Sequence, residues 1–167
     1  AGAPFGLRHA GMLAMNACRL EKGFRHFGHD IAEEDTPYET GLGFAVDLAK
    51  KPFLGQTTLS AQKAAGAATP NRTVVIRVEA ATAKSGPYLM HNEPIWRGAA
   101  LVGHVTSGGW GWRLSAMIGL ATLHRSAGVS KAWIDEGGFE VQIAGRRYPL
   151  TVQLGPLYDP EGQRMRA

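Results

Sequence analysis

The chain has 167 residues, 44% hydrophobic and 19% charged, with a formal net charge of +4. That length suits one compact domain or two small ones with a real core, and the composition excludes disordered, collagenous and disulfide-scaffold classes. Cys18 is the only cysteine, the basic residues are scattered rather than massed into a nucleic-acid footprint, and no apolar run reaches the roughly 20 residues of a membrane span.

The opening "AGAPFGLRHAGM" has no signal-peptide pattern and passes almost at once into helical spacing, as an excised piece of a longer protein would. Arg8 to Glu21 is predicted to be a helix, because Met12, Met15, Ala17, Cys18 and Leu20 recur at roughly helical intervals and Gly23 supplies a stop. Cys18 falls on the apolar face of that helix, where a thiol is a packing group rather than a nucleophile. The next stretch, "RLEKGFRHFGHDI" (19–31), crowds cations, acids, histidines and two Phe rings together with no clean period. His26, His29 and Asp30 could ligate a metal, but a structural zinc site wants four ligands and no second thiol exists. The reading is hydrogen-bonded histidines and no metal site.

Residues 24–37 are irregular up to Thr36-Pro37, where the proline disfavours helix. "GLGFAVDLA" alternates Leu42, Phe44, Val46 and Leu48, the pattern of a half-buried strand, and residues 57–66 form a short helix stopped by Gly66. "AATP" (67–70) reads as a hinge. Beyond it, segments 72–80, 99–107, 117–123, 139–145 and 148–154 are short, strand-like and separated by turn residues. Such spacing predicts an antiparallel sheet closing into a small barrel, with "IAGRRYP" as a tight hairpin. "VTSGGWGWRLS" (105–115) matches no phosphate-binding spacing and is expected to be a rim loop with Trp110 and Trp112 packed on a neighbour or an interface. The predicted class is α+β: a front over residues 1–68 and a β-barrel over 69–167. No nucleophile with its base is assembled, so the residues alone stop at a protein able to bind a flat or anionic ligand, with no catalytic residue.

"RLEKGFRHFGHDIAEEDTPYETGLGFAVDLAKKPFLG", then "RTVVIRVE", "PIWRGAALVGHVTSGGWGWRLSAMIGLATL" and "FEVQIAGRRYPLTVQLGPLYDP", resemble in order the C-terminal half of the aminomethyltransferase (glycine-cleavage T-protein) superfamily. The wording "EKGFRHFGHD" is most similar to the folate-binding end of dimethylglycine and sarcosine dehydrogenases. The resemblance implies the last part of an α/β folate-binding domain followed by the family's C-terminal barrel. It also implies a module that helps pass the one-carbon unit of an N-methyl amine to tetrahydrofolate. Alternatives are a piece of a stand-alone aminomethyltransferase or folate-dependent demethylase, and a non-catalytic scaffold used for domain contact.

The implied ligand-facing positions are Phe44, where the family has an aromatic residue of the folate pocket, and Met15, where it has an arginine. Arg19 and Glu21 are implied to be an ion-paired brace beside the cavity. The family's catalytic aspartate and pocket glutamate correspond to positions before Ala1, as does FAD chemistry. The implied partners are therefore upstream FAD-dependent and N-terminal folate-binding segments of the same protein, with self-association expected and no nucleic acid or membrane. The expected compartment is the cytoplasm. Tetrahydrofolate is expected to bind this chain alone weakly or not at all.

Overall fold

The computed structural model describes residues 1–66, 68–79 and 86–166. Helix α1 (Met12–Glu21) and helix α2 (Gln56–Ala65) belong to the front. Strands β1 (Thr69–Val78), β2 (Pro94–Arg97), β3 (Ala100–Gly111) and β4 (Ala116–Val129) lead to a short helix, α3 (Lys131–Asp135), and then to β5 (Phe139–Ile143) and β6 (Arg146–Gln153). The six strands close in the order β1-β4-β3-β2-β5-β6, every pair antiparallel. Ala67, the first residue of the expected hinge, and Ala80, the last of one expected strand, lie outside the described residues.

Alternation along β1 explains how the barrel and its outer layer are built. Val74, Ile76 and Val78 point into the interior with Ile95, Val105, Ala121, Leu123 and Val141, all 0–1% exposed. Val75, between them, faces outward and is buried with Ile118 and Leu120 beneath Leu20 of α1. Trp133 and Ile134 of α3 join the interior cluster, with Phe139 edge-on to Trp133 at 5.1 Å. The β5–β6 turn is Ala144-Gly145 at φ +48° and +79°, the two left-handed residues a two-residue hairpin requires.

Four expectations change. α1 begins at Met12 rather than Arg8, after a 3-10 turn at Ala3–Phe5 and a Gly11 N-cap that offers no side-chain acceptor. Residues 42–48 form no strand: Gly43–Ala45 is a 3-10 turn whose bonds run Ala45 N–H to Leu42 and Val46 N–H to Gly43, so local bonds replace a ladder. "VTSGGWGWRLS" is mostly strand, since β3 runs to Gly111 and only 112–115 turn. Its glycines are packing residues: a Cβ on Gly108 would lie 2.3 Å from Leu89 Cβ and 2.5 Å from the Leu89 carbonyl oxygen. Trp110 packs on the barrel core, while Trp112 is 72% exposed at the turn. Finally, Cys18 is exposed rather than packed. Leu20 faces the barrel, and a residue two positions back lies on nearly the opposite side of a 3.6-residue turn.

Candidate functional site

The crowded charges in the last turn of α1 and just after it fasten the helix to the barrel. Arg19 donates through Nη1 to Asp30 Oδ2 at 2.5 Å, through Nη2 to Ser107 Oγ on β3 at 2.8 Å and through Nε to Asn16 at 2.7 Å. The Asp30 side chain is wholly buried, and its oxygens also accept the His26 N–H at 2.8 Å and the Thr106 hydroxyl at 2.6 Å. Arg19 and Glu21 are therefore not paired with each other, because residues two apart project from different sides of a helix. Glu21, also buried, accepts the Arg113 N–H of the β3–β4 turn at 2.7 Å, and its carbonyl accepts the Tyr158 N–H at 3.1 Å. Lys22 meets Asp159 at 3.2 Å. Desolvation raises the Asp159 pKa, but hydrogen bonds from Lys22 and from the Arg164 and Gln163 N–H groups outweigh it and leave the carboxyl below its ordinary value.

Above this clasp lies a polar cleft of about 290 Å³ walled by Asn16, Arg19, His26, His29, His91 and Ser107. His26 stacks on His29 at 4.8 Å, and His91 meets His29 edge-on at 5.9 Å. His91 Nδ1 is 2.8 Å from the Thr106 carbonyl, which can only accept, so Nδ1 carries the proton and Nε2 the lone pair of the neutral ring. Among the described residues, no group of three or more His, Cys, Asp or Glu side chains is placed to hold a metal ion.

Phe44 is 86% exposed on its 3-10 turn and lines a different cavity of about 420 Å³, with Tyr38, Lys63, Arg72 and Lys131. Met15 is 59% exposed on α1. Of the four positions implied in sequence, two are thus structural charges at the barrel contact and two are open apolar surface. Sequence reading missed His91, Thr106 and Ser107, which reach the clasp from 76 to 88 positions away in the case of the two hydroxyls. No spacing signals such a meeting.

The site thus sits on a closed antiparallel barrel with a charged helix clasped to its wall. A family model for the glycine cleavage T-protein C-terminal barrel domain matches residues 71–159, and one for the GCVT N-terminal domain matches residues 1–50. The chain belongs to the glycine cleavage T-protein family. It is 40% identical over 167 residues to a 4-methylaminobutanoate oxidase (formaldehyde-forming) from Paenarthrobacter nicotinovorans, covering 99% of this chain and 19% of that protein. It is 32% identical over 169 residues to the mitochondrial sarcosine dehydrogenase of Homo sapiens, covering 99% of this chain and 18% of that one. The chain therefore spans about a fifth of these relatives. The solved glycine cleavage system aminomethyltransferase T from Bartonella henselae shares the fold, with a TM-score of 0.71 at 22% identity over 88% of this chain and 38% of that one.

Proposed function

We propose that this chain is the C-terminal module of an FAD-dependent N-methyl amine oxidoreductase, where it walls and braces the compartment that receives the one-carbon unit. The observation that carries this reading is the match of 99% of the chain, at 40% identity, to an oxidase whose name specifies a formaldehyde product. The 32% match to a sarcosine dehydrogenase supports the same substrate class, small amines bearing an N-methyl group. In this reading FAD and the proton-handling carboxylate are supplied by other parts of the whole protein, and this chain's own residues bind and brace.

Tetrahydrofolate, when bound, supplies the amine that captures the one-carbon unit. The positions in this chain fit only its apolar side: Phe44 and Met15 offer surface, while Arg19 and Glu21 are committed to Asp30, Ser107 and Arg113. An aromatic stack contributes about 0.5–1.5 kcal/mol beyond area burial, against the roughly 8 kcal/mol of micromolar affinity. Calorimetry of the chain with tetrahydrofolate is therefore expected to show no saturable micromolar binding. The wider reading is tested by FAD-loaded full-length protein and an N-¹³C-methyl amino acid. The label should leave at the formaldehyde oxidation level, as formaldehyde or as methylenetetrahydrofolate when the folate is present. A label that stays on nitrogen rejects the reading.

A further inference from the structure

We propose that His104 and His124, on the outer wall of the barrel, are the two imidazole ligands of a divalent transition-metal site of the zinc, nickel and copper class, with the Asn92 amide oxygen as a third donor and water completing the shell. This goes beyond the reading above, which uses neither histidine, and it stands or falls independently of any one-carbon chemistry.

Adjacent strands bring the two rings together. β3 carries His104 and β4 carries His124, and their ring centroids lie 5.7 Å apart with planes 20° from parallel. Both line one open groove of about 520 Å³ with Asn92, Pro94, Leu101 and Gly103. An ion about 2.0–2.1 Å from a nitrogen of each imidazole can bridge rings at such a spacing, and the χ2 torsion that turns them toward a common point is a soft one. Among the described residues no group of three or more His, Cys, Asp or Glu side chains is placed to hold a metal ion, so this is an open, two-imidazole site with solvent in its remaining positions.

Hydrogen bonds decide which nitrogen of His124 faces the ion. Glu39 Oε2 accepts the Thr36 N–H at 3.1 Å and the Thr36 hydroxyl at 2.8 Å, and Oε1 accepts from Asn71 Nδ2 at 3.3 Å. A carboxylate only accepts, so the Asn71 amide is oriented with its Oδ1 toward His124 Nδ1, 2.7 Å away. Nδ1 then carries the proton, and Nε2 keeps the free lone pair that a metal needs. A ligating imidazole is typically fixed in this way through its other nitrogen, with a carboxylate behind it. Neutral imidazoles with no thiolate or carboxylate in the donor set select zinc, nickel or copper over magnesium or calcium.

Calorimetric titration of the intact, tag-free chain with Zn²⁺, Ni²⁺ and Mg²⁺ tests the site. Zinc or nickel should saturate at one ion per chain in the micromolar range, and magnesium should not bind. Cu²⁺ should give an electron paramagnetic resonance spectrum split by two imidazole nitrogens. His104→Gln and His124→Gln should each weaken binding about a hundredfold, and Asn71→Ala about tenfold. His26→Gln and His29→Gln, in the other histidine cluster, should leave it unchanged. Side-chain ¹⁵N shifts of the metal-free chain should show His124 protonated at Nδ1, and Asn71→Ala should shift that tautomer balance, which a loss of stability alone would not do. Full affinity in His104→Gln or His124→Gln, loss of binding in the His26 or His29 variant, or no saturation below millimolar metal would overturn the proposal.

Discussion

The barrel and the first 66 residues treat apolar side chains in opposite ways. In the barrel, both faces of β1 are covered, the interior by facing strands and Val75 by Leu20 of α1. In the front, Phe5, Leu7, Met12, Leu13, Phe44 and Leu54 stand 69–101% exposed, and α1 buries only Leu20 and Glu21. The difference teaches where the chain's own stability lies. A strand is completed by its ladder and two covered faces, whereas the front touches the barrel mainly through one turn of helix and a set of charges.

That contrast breaks hardest at its joint. Asp30→Ala removes the carboxylate that balances Arg19 and leaves a half-buried cation without its partner, expected to cost about 3–5 kcal/mol in urea unfolding. Loss of less than about 1 kcal/mol would show that the clasp is ornamental and that packing of Leu20 alone holds α1. Next, Leu120→Ala in the fully buried layer under α1 should cost about 2–5 kcal/mol, while Leu13→Ala on the open face should fall within about 0.5 kcal/mol. Similar losses at the two positions would erase the distinction drawn between the regions. Glu21→Ala leaves the Arg113 N–H without its acceptor and should cost about 1–3 kcal/mol. Amide exchange at Arg113 is the direct check.

The mildest effect concerns His104 and His124, stacked at 5.7 Å across β3 and β4. Desolvation first, then His124 and His91, lowers the His104 pKa. A lowered folded pKa means that the unfolded chain binds the proton more readily. The neutral ring's stability is thus present above the ordinary imidazole range and is lost as pH falls through the lowered folded value. His124→Gln removes one repelling neighbour, so melting temperature should fall less steeply with acid in this variant than in the parent chain. Identical slopes would mean that desolvation alone sets the shift.

Much of the barrel was legible because its signal is local. Period-two runs with turn residues between them located five of the six strands, and "IAGRRYP" located a hairpin. β2 was missed because it has four residues and starts with proline, although its neighbours complete it. α3 was missed although Ser130, whose hydroxyl accepts the Trp133 N–H at 3.2 Å, is a readable N-cap. The alternation around Phe44 misled because a turn satisfied by its own i→i+3 bonds can carry the same pattern as a strand. The clasp was half legible: its charges stood out in "RLEKGFRHFGHDI", but their partners, Ser107, Thr106 and the Arg113 amide, come from strands brought near only by the closed barrel.

Closure of that barrel has a consequence for how the chain is made. β1 is flanked by β4 and by β6, so the first strand synthesised finds its last neighbour only when Thr151–Gln153 have emerged. Until then both seams lie open, and a nascent chain presents two unpaired strand edges able to recruit another copy. Closing such a distant pair is slow, because most of the barrel's loop entropy is lost before the contact rewards it. Release from the ribosome before β6 is complete should therefore yield aggregation rather than a smaller barrel, and truncation at Leu150 in a translation-arrest experiment would reveal it as protease-sensitive β1.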